Sequence, residues 1–121
     1  MKPLRIHHVN LTVAAAEELT AREFYLGFLG LAEIPKPDSL KANGGFWATL
    51  GAVELHVSLQ DGIDRAVARS HVAFEVEDLE AWRAAILEQG LAPLASNPIP
   101  GMSRFEFRDP FGNRLELLES E

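Results

Sequence analysis

The sequence predicts an α+β fold built from two βαβββ modules, and three observations lead to that prediction. The chain has 121 residues, enough for one domain with a buried core but too few for two independent domains. Segments with the two-residue period of strands alternate with segments of helical period. A weak internal repeat divides the chain in half. We therefore expect one domain over residues 1–121, with module one at about 1–62 and module two at about 63–121.

The repeat consists of three correspondences in the same order along the chain. The pattern His-Val-x-apolar-x-Val occurs at His8 and again at His71, and Gly-Leu pairs begin at Gly30 and Gly90. The third correspondence aligns Glu54 with Glu116. The three offsets are 63, 60 and 62 residues, which indicates a duplicated module.

Module one shows the element order strand, helix, strand, strand, strand. Strands are predicted over residues 6–13, 32–35, 45–50 and 52–59, and a helix over 20–30, where apolar residues recur at helical spacing. Thr20 and Glu23 form a capping-box pattern at its start, and Gly30 is typical of a helix end.

Module two repeats this order. A strand is predicted over 70–77 and a helix from its cap Asp78 to Gly90; an extended segment or loop follows from Leu94 to Met102. Strands at 103–108 and 113–119 flank Asp109-Pro110-Phe111-Gly112, whose Asp, Pro and Gly positions favour a type I turn.

Composition excludes several classes of function. No apolar run is long enough for a membrane span, and the N-terminus lacks a signal-peptide core. The net charge of −7 without a basic stripe argues against nucleic-acid binding. There are no cysteines, which fits a reducing cytoplasm and leaves imidazole and carboxylate as the only strong metal ligands.

The candidate site residues lie on the polar faces of the predicted strands. Because side chains alternate along a strand, His8, Glu54, His56, His71 and Glu116 all lie opposite the apolar residues of their strands. A solvated sheet face explains any one of them. Three of the four histidines together with two repeat-related glutamates favour a site for Fe²⁺, Mn²⁺, Ni²⁺ or Zn²⁺.

Other residues receive structural explanations. Alternation sends His7 to the opposite face from His8. Arg104 and Arg108 share the polar face and could hold an anionic substrate, although solvated charges explain them better. Phe46, Trp47 and Met102 fit a pocket mouth, core packing or a subunit contact.

At these residues the sequence resembles the vicinal oxygen chelate superfamily, which includes glyoxalase I, extradiol dioxygenases, and the fosfomycin- and bleomycin-resistance proteins. The resemblance covers essentially the whole chain. It is carried by the strands beginning at His8 and His71, the helix end at Leu29-Gly30-Leu31, and the hairpin from Asp109 to Glu116.

The resemblance implies a half-open mixed β-sheet barrel around a cleft, with the helices on its outer face. It also implies a divalent ion (Fe, Mn, Ni, Zn or Co) bound by His8, His71 and Glu116, all pointing into one cavity. The fourth ligand is Glu54 by the repeat, with His56 as the rival. Glu54, His56 and Glu116 are the candidate acid–base residues beside the metal.

Two functions follow from the resemblance. The first is a metal-dependent enzyme that acts on a small oxygen-chelating substrate as a lyase, isomerase or dioxygenase. The second is a metal-free protein that binds a small molecule or drug, as bleomycin-resistance proteins do. We also expect a cytoplasmic homodimer, with Phe46, Trp47 and Phe111 as candidate contacts, and no nucleic-acid or membrane partner.

Overall fold

The computed structural model describes residues 1–121, which form two compact units, Met1–Ile63 (unit 1) and Asp64–Glu121 (unit 2). Each unit contains one small mixed sheet and few helical residues, and neither sheet closes into a barrel. The predicted α+β class is confirmed. No helix has the length and apolar character needed to cross a membrane.

Unit 1 follows the predicted order of elements. Its strands are β1 (His8–Val13), β2 (Ala32–Ile34), β3 (Phe46–Leu50) and β4 (Val53–Leu59). The sheet order is β1-β4-β3-β2, with β1 parallel to β4 and the other pairs antiparallel. Helix α1 (Glu18–Arg22) continues as a π-helical turn over Glu23–Phe28. Short 3-10 turns occupy Ala15–Glu17 and Asp38–Asn43.

Unit 2 has the same plan with one strand reduced. Its strands are β5 (His71–Glu75), β6 (Met102–Arg108) and β7 (Arg114–Ser120), in the order β5-β7-β6 with β5 parallel to β7. A 3-10 turn occupies Arg65–Val67, and helix α2 spans Leu79–Glu88. The segment predicted as extended contributes two isolated bridges, from Leu94 to Glu106 and from Ile99 to Met102, and the first lies where unit 1 has β2.

The predicted alternation of strand faces explains the core of each unit. Phe46, Leu55 and Val57 are buried in unit 1, and Phe107 and Leu115 in unit 2. They belong to the apolar sets defined by the two-residue period. The opposite faces carry the candidate site residues.

The start of the first helical segment differs from the prediction. Helical structure begins at Ala15, so Thr20 lies inside α1 and the capping-box prediction is wrong. The backbone N–H of Ala15 instead donates to Asp61 Oδ1 at 2.9 Å. The Asp61 carboxylate, 46 residues away in sequence, thus accepts from a backbone N–H at the start of the helical segment, as a local N-cap side chain would have done. The predicted end at Gly30 is confirmed by its positive φ of 79°.

In unit 2, the predicted helix cap at Asp78 and the predicted turn at Asp109 are both present. Asp78 caps α2 by accepting from the backbone N–H of Ala81 at 3.1 Å. The turn after β6 closes with the N–H of Gly112 donating to the carbonyl of Asp109 at 3.1 Å. The Asp109 carboxylate accepts from the backbone N–H of Phe111 and of Asn113, so the side chain holds the turn from within.

Turn length sets which side chains face each other across the hairpins. The β3–β4 hairpin closes at Leu50 and Val53, which places Trp47 opposite His56. The β6–β7 turn is one residue longer, because Asp109 pairs with Asn113, and this places Glu106 opposite Glu116. Trp47 and Glu106 therefore occupy equivalent positions.

The parallel pairs complete the equivalence between the units. His8 lies beside Glu54, and His71 lies beside Arg114. If the two histidines correspond, Arg114 is the counterpart of Glu54, and Glu116 is the counterpart of His56. The repeat read from sequence, which aligned Glu54 with Glu116, differs from this register by two residues.

Candidate functional site

The polar face of unit 1 carries a cluster of His8, Trp47, Glu54 and His56, which we call the unit 1 cluster. The His56 ring stacks between two others: its centroid lies 4.0 Å from that of Trp47 and 4.1 Å from that of His8. The interplanar angles are 3° and 14°. This packing explains why His56 is only 6% exposed although it lies on the polar face.

Glu54 contacts the edge of the buried ring. Its Oε1 lies 2.9 Å from Nε2 of His56. This hydrogen bond is the main reason that the pKa of the Glu54 carboxyl lies below its usual value. Burial opposes it, and the charges of the neighbouring histidines lower the pKa further. Glu54 is therefore a carboxylate at neutral pH and acts as an acceptor.

His7 does not lie where alternation predicted. Strand β1 begins at His8, so the two-residue period does not extend back to His7. Nδ1 of His7 lies 3.0 Å from Nδ1 of His8, and its Nε2 lies 3.9 Å from Oε2 of Glu54. The prediction that His7 points away from His8 is wrong, and His7 borders the unit 1 cluster.

The polar face of unit 2 carries a second cluster of His71, Arg104, Glu106, Arg114 and Glu116, which we call the unit 2 cluster. Ligand atoms of His71, Glu106 and Glu116 all lie within 4.8 Å of one another, a spacing that suits a metal ion. Both glutamates are buried, whereas the His71 side chain is 33% exposed. The buried carboxylates thus meet a side chain that is open to solvent.

His71 has an acceptor at each ring nitrogen. Nδ1 lies 3.1 Å from the carbonyl oxygen of Arg69, and Nε2 lies 3.2 Å from Oε2 of Glu116. If Nδ1–H donates to the carbonyl, a neutral ring directs the Nε2 lone pair at a carboxylate oxygen. Either a second ring proton or a cation between the two atoms removes this repulsion. Two ligands bonded at about 2.1 Å to one ion lie roughly 3.0–3.4 Å apart, so the separation fits a shared ion.

The two arginines bind the carboxylates. Arg104 Nη1 donates to Oε1 of Glu116 at 2.9 Å and approaches Oε1 of Glu106 at 3.3 Å. Arg114 Nε donates to Oε2 of Glu106 at 2.8 Å. Both oxygens of Glu106 therefore have arginine partners, while Oε2 of Glu116 faces only His71. Glu116 is the better ligand, and Glu106 acts as the counter-ion of the arginines.

We expect Glu106→Gln to destabilise the protein by about 2–3 kcal/mol at neutral pH, because it leaves the partly buried guanidinium group of Arg114 without its carboxylate, whereas Arg104 keeps Glu116. Burial alone would raise the pKa of Glu106, but the hydrogen bond and charge of Arg114, with smaller effects of His71 and Arg104, lower it overall. A lowered folded-state pKa stabilises the fold above the usual value of about 4.3 and loses that effect as pH falls through the folded value.

Urea titrations of the wild type and Glu106→Gln between neutral and acidic pH measure this difference. The gap in unfolding free energy should shrink as the pH falls. A constant gap would show that the charge of Glu106 contributes nothing and that only its shape matters.

Several other side chains differ from their sequence interpretation. Arg108 Nη1 donates to the carbonyl oxygens of Arg65 and Gly112, so neither Arg104 nor Arg108 is a merely solvated charge. Phe46 is 1% exposed and belongs to the core of unit 1, so it cannot serve as a subunit contact. Trp47 packs on His56.

The predicted residues therefore form two sets. The structure brings His8, Glu54 and His56 together in unit 1, and His71 and Glu116 together in unit 2. That all of them share one cavity stays a prediction. Glu106 was missed as a member of a metal-type cluster. Counting outward from Asp109 and Asn113 would have placed it opposite Glu116.

A separate cavity in unit 1, of about 530 Å³, contains none of the predicted site residues. It lies between α1 and the segments around Glu33 and Phe46. Its charged side chains already have partners: Arg22 pairs with Glu33 at 2.8 Å, and Glu18 accepts from the backbone N–H of Gly45 at 2.9 Å.

The chain is similar in sequence and in fold to known proteins. Residues 5–117 match the profile of the Glyoxalase/Bleomycin resistance protein/Dioxygenase superfamily. No protein with a curated function matches the sequence. The crystal structure of a glyoxalase family protein from Bacillus anthracis has a TM-score of 0.88 and 34% identity, over 100% of this chain and 98% of that chain.

Two more distant structures share the fold. The fosfomycin resistance protein FosX from Listeria monocytogenes has a TM-score of 0.74 and 18% identity, over 97% of this chain and 91% of its own. TnmS3, an antibiotic binding protein from a Streptomyces species, has a TM-score of 0.71 and 20% identity, over 100% and 99%. A fosfomycin resistance protein and an antibiotic binding protein thus share this fold, so the fold alone does not assign a function.

Proposed function

We propose a function that starts from the family of the chain. The match over residues 5–117 shows that the chain belongs to the glyoxalase/bleomycin resistance protein/dioxygenase superfamily. We propose that it is a divalent-metal-dependent enzyme whose small substrate offers two neighbouring oxygen atoms to the metal. The ligands in this proposal are His8, His71 and Glu116, with Glu54 or His56 as the fourth. The reaction is of the lyase, isomerase or dioxygenase type.

One observation carries the proposal. Nε2 of His71 and Oε2 of Glu116 lie 3.2 Å apart, while Nδ1 of His71 is held by a backbone carbonyl and Oε1 of Glu116 by Arg104. Each side chain is thus fixed through one atom and presents the other, an arrangement typical of metal ligands with outer hydrogen-bond partners. These two residues also match the positions that the family resemblance assigns to ligands.

The register supports His56 over Glu54 as the remaining ligand. His56 is the counterpart of Glu116 at the centre of the last strand, whereas Glu54 is the counterpart of Arg114. The bound ion would supply Lewis-acid stabilisation of an oxyanion or enolate. Among the protein's own groups, the Glu54 carboxylate and the His56 ring are placed to accept a proton.

The second candidate function, metal-free binding of a small molecule, is favoured by the charge balance in unit 2. Arg104 and Arg114 offset Glu106 and Glu116, so the carboxylates are neutralised without an added cation. The existence of an antibiotic binding protein on this fold agrees with this alternative.

Metal analysis of protein purified without a histidine tag distinguishes the two functions. We expect a stoichiometric amount of a divalent ion after incubation with Fe²⁺, Mn²⁺, Co²⁺, Ni²⁺ or Zn²⁺ and removal of the excess. Trp47 adds an optical signal, because it stacks on His56 and should be quenched by Co²⁺ or Ni²⁺. Trp82→Phe provides a background in which Trp47 is the only tryptophan. Failure of all five metals to bind would favour the binding-protein function.

We also propose that the protein is a cytoplasmic homodimer, as small members of the family commonly are. Phe111 is half-buried in the monomer and remains available for a subunit contact, whereas Phe46 does not. Light scattering at micromolar concentration should give twice the chain mass of 13.3 kDa. Phe111→Ser should shift the mass toward the monomer. A monomeric wild type would contradict the prediction.

A further inference from the structure

Glu106 and Glu116 place two buried negative charges directly opposite each other on β6 and β7. Their side chains are only 9% and 8% exposed, so water screens the repulsion between the two carboxylates poorly. Like charges directly opposite each other in an antiparallel pair destabilise a sheet. The pair therefore needs a cation between its oxygens.

Arg104 supplies that cation from the same strand as Glu106. Its Nη1 atom lies 2.9 Å from Oε1 of Glu116 and 3.3 Å from Oε1 of Glu106. This nitrogen carries two hydrogens and can donate one to each carboxylate. Arg114, the other arginine of the unit 2 cluster, binds the carboxylate of Glu106 and not that of Glu116. Arg104 is thus the arginine that joins the two glutamates.

The guanidinium group of Arg104 is held in this position. Its Nη2 atom donates to the carbonyl oxygen of Asn97 at 2.8 Å, and the side chain is only 14% exposed. Its Nε atom is buried without a hydrogen-bond partner. A buried donor without a partner carries a free-energy cost, which the contacts of Nη1 and Nη2 offset. The positive charge therefore stays beside the carboxylates rather than in solvent.

A divalent ion in the unit 2 cluster would meet this positive charge. The atoms offered to the ion are Nε2 of His71 and Oε2 of Glu116, and Arg104 binds the other oxygen of the same carboxylate. The ion and the guanidinium would share one carboxylate and repel each other. The hydrogen bond from Arg104 also stabilises the negative charge of Glu116, which makes this carboxylate a weaker ligand.

The backbone carbonyl that orients His71 has the opposite effect. The carbonyl oxygen of Arg69 lies 3.1 Å from Nδ1 of His71, and an acceptor at that nitrogen makes Nε2 a better ligand. Loss of such an acceptor weakens metal binding. Loss of the positively charged donor on Glu116 should strengthen it, so the sign of the change distinguishes the two kinds of partner.

We propose that Arg104 is a built-in counter-ion, which competes with a divalent ion for Glu106 and Glu116 and so sets the metal affinity of unit 2. This competition rests on the proposed function, because the competing ion is the one that His71 and Glu116 would bind. Without Arg104, Oε1 of Glu106 is released, and one atom each of His71, Glu106 and Glu116 already lie within 4.8 Å of one another.

Arg104→Met and Arg104→Lys separate the charge of the side chain from its bulk. Isothermal titration of tag-free protein with Mn²⁺ or Zn²⁺ should show binding roughly 10–100-fold tighter in Arg104→Met, the usual size of an outer-partner effect with the opposite sign. Arg104→Lys, which keeps the charge, should stay close to the wild type. A gain in Arg104→Lys as large as that in Arg104→Met would overturn the inference, because the charge would not be its cause.

Arg108→Met is the matched control. Arg108 lies on the same strand and the same face as Arg104, but it donates to two backbone carbonyls and binds no carboxylate. Its loss should leave the metal affinity unchanged. A gain as large as that of Arg104→Met would show that any positive charge on this face has the same effect, and would overturn the role assigned to Arg104.

Urea unfolding gives a second readout. Metal-free Arg104→Met should be less stable than the wild type, because the paired carboxylates lose their shared cation. Saturating Zn²⁺ should stabilise the variant more than the wild type, since the tighter ion adds more to the folded state. Equal stabilisation of both would contradict the competition. If Arg104→Met does not fold without the ion, Arg104→Gln, which keeps a neutral donor, takes its place in both measurements.

The outcomes separate the role of Arg104 from the proposed function. If the wild type binds an ion and Arg104→Met binds it equally or more weakly, the competition is overturned while the function stands. If the wild type binds no ion and Arg104→Met binds one, the function fails for the wild type and the competition is confirmed. If neither protein binds an ion, both fail.

Discussion

His71→Ala is expected to weaken binding of the divalent ion by at least about 100-fold while leaving the fold intact. His71 presents Nε2 beside Glu116, and its side chain is one-third exposed, so its loss removes a ligand but little packing. Glu116→Gln should act in the same direction. It keeps the shape of the side chain and an acceptor for Arg104, but loses the charge that offsets the cation. Isothermal titration with Mn²⁺ or Zn²⁺ measures both losses.

Glu75→Ala is the matched control, since Glu75 lies on the same strand and the same face as His71 but outside the unit 2 cluster. It should leave the metal affinity unchanged. His7→Ala does not serve as a control, because His7 contacts both His8 and Glu54. Full metal content in His71→Ala would show that His71 is not a ligand and would overturn the proposed ligand set. An unfolded, metal-free variant would make His71 a structural residue and favour the binding-protein function.

Gly45→Ala is expected to destabilise the protein by about 3 kcal/mol or more. Gly45 has a φ of 78°, which an L side chain adopts at a cost. A Cβ atom there would lie 2.1 Å from the carbonyl oxygen of Val57, which is backbone of β4 and cannot rotate away. The strain therefore reaches the strand that carries Glu54 and His56. Urea unfolding measures the loss of stability.

Gly51→Ala separates the two causes. Gly51 also has a positive φ, of 59°, but a Cβ atom there would meet nothing within 4 Å. Its cost should be limited to backbone strain, about 1 kcal/mol. The difference between the two variants then measures the clash with Val57. Similar losses in both would contradict the steric explanation.

The sequence predicted those features of the fold that depend on neighbours along the chain. Alternation predicted the two faces of β1, β4, β5, β6 and β7, and Asp78 and the turn at Asp109 were predicted correctly because their hydrogen bonds close within a few residues. The start of the first helical segment was missed because its N–H partner, Asp61, comes from beyond β4. A contact across 46 residues leaves no local signal.

The sequence predicted on which face of its strand each candidate site residue lies, and no further. His8, His56, His71 and Glu116 could be assigned to the polar faces because the period of a strand is fixed by its backbone. Which residue corresponds to Glu116 depends on register, and register depends on turn length. The repeat in the sequence aligns Glu54 with Glu116, whereas strand pairing aligns His56 with Glu116, two residues further along β4.

The pairing of the first strand with the last in each unit has a consequence for folding. The β6–β7 hairpin can form locally, but His71 and Glu116 are 45 residues apart in sequence and meet only when β5 docks on β7. Closing that long loop is the slow, entropically costly step. An ion that binds the pair stabilises the docked state alone, so it should slow the undocking of β5 and leave exchange within the hairpin unchanged. Amide hydrogen exchange of β5 would then report metal occupancy directly from the backbone.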